Sequence, residues 1–270
     1  MRSGSGTQAR AVIRPDTSQS PAREPVAPAP SPVPLQRFIA CHQDGKQFII
    51  HPRLIRADSA GSPLTSWCCG PGARPNTTLA AQAGIPIGTS GGIAVDQWLR
   101  TGIEGVWAAG DCAEKFHRVS RRPVVIALGT HANKEGHTAG INIGGGYSNF
   151  LGVIGTAVTK IREVEIGRTG LGEVEARTAE FDPLVVSVDS TARAGYHPGA
   201  KPIRTKLIAE RGTGRLLGGR IVGEEGSAKR IDVLAMAVWN QITVQEPINV
   251  DVSYAPPFSP LWDPVLIAAP

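Results

Sequence analysis

From Gly72 onward the chain shows the short hydrophobic periods of regular structure. Ile231, Leu234, Ala235, Val238 and Trp239 fall at i, i+3, i+4, i+7 and i+8. That spacing predicts a helix over 227–241 with one apolar stripe and Ser227 as its N-cap. Residues 128–143 predict a second helix with glycines near both ends. The runs 202–209 and 216–222 flank Gly212-Thr213-Gly214, the pattern of a β-hairpin. Val185 to Asp189 predicts a strand. Ile93-Ala94-Val95 and Val106-Trp107-Ala108-Ala109 are apolar runs bounded by Gly and Asp, which predict short buried strands. Gly144-Gly145-Gly146 marks a boundary between an α/β piece and a strand-rich α+β piece.

Before Gly72 this patterning is lost. Seven of the 20 residues from Pro15 to Pro34 are proline, which fixes φ and removes a backbone donor. The composition predicts an extended, disordered tail over residues 1–71. Its PAPSP and SPVP pieces suit either a passive tail or an SH3-type ligand. Phe48-Ile49-Ile50 is a short strand candidate without an evident partner. Charge divides at the same place. The chain carries 28 Lys+Arg and 23 Asp+Glu, net +5; residues 1–75 hold 9 basic and 4 acidic residues, so residues 76–270 hold 19 of each. The larger body has no basic excess, which argues against a nucleic-acid partner. No apolar run approaches the roughly 18–20 residues of a spanning helix, and no apolar segment follows Arg2 and Arg10 as in a secretory signal. A cytoplasmic protein without membrane contact is expected. Cys41, Cys68, Cys69 and Cys112 lack C-x-x-C spacing, so neither a disulfide scaffold nor a metal site is expected.

The strongest chemical signal is the segment from Thr101 to Asp111, TGIEGVWAAGD. Gly110 permits close approach of the backbone to a ligand, and Asp111 stands where an open α/β sheet binds ligands. Its carboxylate can accept from sugar or ribitol hydroxyls, or merely cap the next turn. The segment resembles the second flavin-binding fingerprint of the pyridine nucleotide–disulfide oxidoreductases, T-x-x-x-x-[VI]-[YWF]-A-x-G-D, through Thr101, Val106, Trp107, Ala108, Gly110 and Asp111. Further stretches agree in order. Gly72-Ala-Arg-Pro-Asn-Thr is similar to the segment closing the NAD domain. Gly129-Thr130-His131-Ala132-Asn133-Lys134 is similar to the helix start beside the flavin. Leu217 to Gly223 and Tyr254-Ala-Pro-Pro-Phe258 are similar to the dimerisation domain.

The resemblance implies an α/β remnant of the FAD domain (72–146) and an α+β dimerisation domain (147–270), an antiparallel sheet with helices. It also implies a homodimer through residues 150–270. It places Gly110, Asp111, Gly129, Thr130, Ala132 and Lys134 at FAD. A helix N-terminus near Thr130 would face the negative charge of reduced flavin; Lys134 either adds to that field or is an ordinary surface lysine. NAD(P)H serves the complete family enzyme. Within the family the chain resembles the CoA-disulfide reductase and NADH oxidase branch, since the H-P-T-x-x-E segment of the glutathione-reductase branch is missing. In that branch, tyrosines matching Tyr196 and Tyr254 reach the partner's active cysteine. Each is either such a donor or a structural tyrosine over a proline turn.

The 270 residues contain no G-x-G-x-x-G loop. The family's redox cysteine follows that loop, so it is missing too, and Cys112 is expected to be a small buried residue without a redox role. The family frame is expected to begin near Gly72, with residues 1–71 arising from a frameshift or truncated gene. Three functions follow: an enzyme completed by another chain, a non-catalytic dimerisation module that pairs with a full-length relative, or a decayed gene product.

Overall fold

The computed structural model describes residues 74–268. The expectations for residues 1–71, among them the Phe48–Ile50 strand and the Cys68-Cys69 pair, lie outside the described residues. Helix α1 (Thr78–Gln82) buries no side chain. The irregular run that follows is held by single bridges, Ile93 with Ile87 and Ala113, and Arg100 with Trp107. The apolar runs 93–95 and 106–109 are therefore not strands, and their residues are only half-buried. A buried strand needs ladder partners for its backbone groups, and among the described residues these runs have one bridge or two each. An antiparallel ribbon follows, β1 (Lys115–His117) with β2 (Arg122–Val124). Helix α2 (Gly129–Ile143) forms where the sequence predicts it.

The second part is an antiparallel sheet in the order β3-β4-β7-β6-β5. Its strands are β3 (Ala157–Ile161), β4 (Val164–Gly170), β5 (Pro183–Thr191), β6 (Pro202–Glu210) and β7 (Leu216–Gly223), with α3 (Glu173–Thr178) between β4 and β5. This is the expected α+β unit behind an α/β remnant. The β6–β7 hairpin turns at Gly214, whose φ of +70° suits glycine. Ile203, Leu207, Ile208, Leu216, Leu217 and Ile221 from its two strands are at most 2% exposed and centre the core. Gly170 and Gly218 face each other across β4 and β7. A methyl on Gly218 would lie 2.2 Å from the Leu171 carbonyl oxygen, so only hydrogen fits at that crossing.

Helix α4 (Ile231–Trp239) lays Ile231, Leu234, Ala237 and Val238 onto the sheet, with Ala235 and Trp239 partly buried beside them. It starts later than its stripe predicts, after a 3-10 turn at Ala228–Arg230. Ser227 stands at the N-cap position of that turn, as expected, but its side chain makes no capping bond. Instead Glu165 of β4 accepts from the Ser227 and Ala228 amides, at 3.1 Å each. A carboxylate from the sheet thus satisfies the orphan donors and favours the positive end of the helical segment, which a local serine would do less well. The chain ends in α5 (Pro264–Ile267), capped by Asp263.

The remnant and the sheet meet along residues 150–153. Val153 N donates to Phe116 O and Arg118 N donates to Val153 O, both at 2.9 Å. The Arg118 guanidinium stacks 4.1 Å over the Trp239 ring, a contact worth about 0.5–2 kcal/mol. No helix among the described residues is long and apolar enough to cross a membrane.

Candidate functional site

Gly110 is the centre of the first cluster. Its φ is +86°, a conformation that costs any other residue strain. Its N–H donates to Glu135 Oε2 at 2.7 Å, and its carbonyl accepts from Lys115 Nζ at 2.7 Å. Lys115 also donates to Ala113 O at 3.0 Å and lies 3.4 Å from Glu135 Oε2. Both side chains are 0% exposed, so a buried ion pair holds the two backbone polar groups of Gly110, one on each of the peptide units flanking its Cα. Burying two charges costs several kcal/mol each unless pairing and hydrogen bonds offset it. Burial raises the Glu135 pKa, against the pull of Lys115 and of the Gly110 amide. Its second oxygen, Oε1, has no partner among the described residues.

This clamp fixes what surrounds it. Asp111, next in the chain, is exposed, and no protein donor reaches its carboxylate among the described residues. Ala132 of α2 packs against Gly110; a methyl on the glycine would stand 3.7 Å from Ala132 Cβ. The N-cap position of α2 is Leu128, in extended backbone with no side-chain cap. The Gly129 and Thr130 amides have no backbone acceptor among the described residues, whereas those of His131 and Ala132 bond to Leu128 O. Gly129, Thr130 and Lys134 line a groove of about 1260 Å³ between α2, residues 149–158 and α4.

Two histidines near this cluster are buried, and burial lowers both pKa values. His117 Nδ1 accepts from Ser120 N at 3.2 Å, while His131 Nδ1 is without a partner among the described residues. A base with a depressed folded pKa takes up its proton in the unfolded chain first. Their contribution to stability is therefore present above about pH 6.5 and lost as pH falls towards the folded values. Urea unfolding across pH 7 to 5 should show stability falling by up to about 1.4 kcal/mol per pH unit for each histidine. His117→Asn and His131→Asn together should flatten the slope; an unchanged slope would place the titration elsewhere.

The second cluster is a phenol pair. Tyr196 follows β5 and Tyr254 precedes α5, and their hydroxyls are 3.3 Å apart. Both are exposed, at 78% and 44%. The hydrogen bond with Tyr196 raises the Tyr254 pKa. The structure thus joins Gly110 to Ala132, and Tyr196 to Tyr254. Among the described residues, no hydrogen bond or ion pair links one cluster to the other. Cys112 is half-buried, its sulfur 3.6 Å from Ala109 O.

Lys115 and Glu135 escaped the motif reading. The available signal was the stripe His131, Glu135, Thr138 and Ala139, buried at i, i+4, i+7 and i+8 of α2. Its polarity hides it, because α2 turns its polar residues inward and leaves Ile143 60% exposed.

A sheet-and-helix unit carrying paired phenols follows a segment with an uncapped helix end and an open carboxylate, a division of the chain into two parts. Family models agree: pyridine nucleotide-disulphide oxidoreductase over residues 63–136, and the dimerisation domain of that family over 156–264. The chain belongs to the pyridine nucleotide–disulfide oxidoreductase family. It is 41% identical over 198 residues to the NAD(P)H coenzyme A polysulfide/persulfide reductase of Pyrococcus horikoshii, covering 73% of this chain and 44% of that protein. It is 31% identical over 191 residues to a coenzyme A disulfide reductase of Staphylococcus aureus, covering 70% of this chain and 43% of that protein. A solved NAD-dependent persulfide reductase from A. fulgidus superposes with a TM-score of 0.71 at 42% identity, covering 73% of this chain and 37% of that one. The chain thus spans less than half the length of the curated relatives it matches.

Proposed function

We propose that the chain supplies the C-terminal portion of an FAD-dependent NAD(P)H:disulfide oxidoreductase of the CoA-disulfide reductase and NADH oxidase kind. The observation that carries this reading is the meeting of Tyr196 and Tyr254 hydroxyls at 3.3 Å on the dimerisation domain. Residues 72–146 and 147–270 are read as its two pieces. The truncated chain is read as cytoplasmic, pairing through residues 150–270 with itself or with a full-length relative.

The donor set fits one end of FAD. Two amides without a backbone acceptor at Gly129 and Thr130 suit an electron-rich ring edge. The exposed Asp111 carboxylate suits a ribitol hydroxyl. Gly110 and Ala132 keep the surface low, and Lys134 adds positive charge. When bound, FAD relays an electron pair from NAD(P)H to a cysteine-based disulfide or to oxygen. The chain's own residues bind and orient. The clamped Gly110 peptide holds Asp111 outward. In the dimer, one phenol of the tyrosine pair donates its proton to a leaving thiolate in the partner's site, and the other hydrogen-bonds to it.

These contacts address one end of the cofactor, and the sequence offers no G-x-G-x-x-G loop for the pyrophosphate. The purified chain alone should lose added FAD on dialysis. Mixed with the part of the Pyrococcus horikoshii relative outside the matched region, it should retain flavin absorbance. A chain that stays yellow alone would contradict the expected split of the site; a mixture that loses all flavin would contradict the reading itself.

A further inference from the structure

Tyr196 and Tyr254 stand 58 residues apart in sequence, on segments without regular structure. An exposed pair of phenols on two loops needs something behind it, because each loop otherwise samples many positions. One backbone bond ties the loops directly, Ala194 N to Pro256 O at 3.1 Å. Arg230 adds side-chain hydrogen bonds to both sides. Its Nη2 donates to Ala192 O at 2.7 Å, on the Tyr196 side, and to Phe258 O at 2.6 Å, on the Tyr254 side. Its Nη1 donates to Gly226 O at 2.5 Å. Its Nε donates to Asp263 Oδ2 at 2.9 Å.

Asp263 is itself fixed. Its Oδ1 accepts from Val265 N at 2.9 Å, and its Oδ2 lies 3.2 Å from Ser259 Oγ, whose one proton is shared with the nearer Pro260 O at 2.8 Å. The Arg230 and Asp263 side chains are only 12% and 18% exposed, so solvent screens them little. Arg230 closes the 3-10 turn before α4, and the next residue, Ile231, is fully buried in the core. The planar guanidinium presents five donors in fixed directions. It reaches three carbonyls and one carboxylate at once, and so joins the packed core to both tyrosine-bearing loops.

We propose that Arg230, oriented by Asp263, is a positioning residue for the tyrosine pair: its guanidinium binds the loop of Tyr196 to the loop of Tyr254 so that the two phenols meet. The importance of the pair rests on the catalytic reading above. The positioning is a property of this chain and is tested without turnover.

The full chain is labelled with 3-fluorotyrosine and followed by fluorine NMR at pH 7. Three tyrosines, Tyr147, Tyr196 and Tyr254, give three resonances, assigned by Tyr→Phe variants. A fluorine beside a phenol oxygen reports the hydrogen bond of that oxygen. In the parent chain, Tyr196→Phe should displace the Tyr254 resonance, because its partner hydroxyl is lost. In the Arg230→Met background the same change should leave Tyr254 where it stands, since the phenols no longer meet. The Tyr147 resonance monitors the fold and should hold still in both. If Arg230→Met does not fold, Asp263→Asn takes its place: it keeps an oxygen to cap α5 and weakens the acceptor that orients Arg230. Loss of most of the displacement in the folded background supports the proposal. A displacement of parent size in that background overturns it. Failure of the catalytic reading would leave either result standing, because no electron transfer enters the measurement.

Discussion

Lys115→Met should be the most damaging single change in the remnant, costing about 3–5 kcal/mol at pH 8. The substitution keeps much of the volume and removes the charge. Glu135 is then left as a buried carboxylate whose Oε1 already lacks a partner and whose Oε2 keeps only the Gly110 amide. In a domain of this size the loss corresponds to a fall in Tm on the order of 10 °C. The pH dependence has a definite sign. Burial already raises the Glu135 pKa, and removing the neighbouring cation raises it further. A carboxyl with a raised folded pKa contributes stability below its ordinary value and loses it as pH rises. The cost of Lys115→Met therefore shrinks in acid, where Glu135 takes a proton, and grows above about pH 5. Adding Glu135→Gln should recover most of the loss, because the amide still accepts from Gly110 N and carries no charge. Thermal melts of the parent, single and double variants across pH 5–8 check this. Equal melting of parent and single variant at pH 8 would show that the pair contributes nothing.

The second large effect concerns the phenols. With the chain completed by the missing portion of a relative, replacing both Tyr196 and Tyr254 by Phe should lower kcat about 10²–10⁴-fold, the usual worth of a positioned proton donor. KM should change little, since neither hydroxyl is assigned to binding. Each single substitution should cost less than the double. The remaining phenol stands within 3.3 Å of the lost one and can take over part of its task. The exposure of both rings makes a stability effect small, so the kinetic loss should come without a matching fall in Tm. A double variant that keeps full kcat would reduce the pair to a structural contact.

Much of this was legible in sequence. The α4 helix and the β6–β7 hairpin follow from period and turn residues, because each buries a regular apolar stripe; α2 was marked instead by the glycines near both its ends. The β3–β4 hairpin was not readable. Four of the five residues of β3 are exposed, Val158 and Ile161 among them, so no alternation marks it. The runs 93–95 and 106–109 misled for the opposite reason: they are apolar without being paired. Ser227 was readable as the N-cap position, but Glu165, 62 residues earlier, supplies the capping oxygen, and no local rule sees it.

The site divided in the same way. Asp111, Gly110 and the two tyrosines came from the motif resemblance. Lys115 and Glu135 did not, because the bond that defines them spans 25 residues, from Gly110 to Glu135. Arg230 looked like an ordinary charged residue at a helix start. Only the folded chain shows that its donors reach Ala192 and Phe258.

The most direct test of the central claim is NAD(P)H oxidation with coenzyme A disulfide as acceptor. The assay uses the chain mixed with the portion of the Pyrococcus horikoshii relative outside the matched 198 residues. Turnover by the mixture, absent from either polypeptide alone and lost with Tyr196→Phe/Tyr254→Phe, is the predicted result. A stable, flavin-loaded mixture that turns over neither the disulfide nor oxygen would contradict it and leave a dimerisation module in its place.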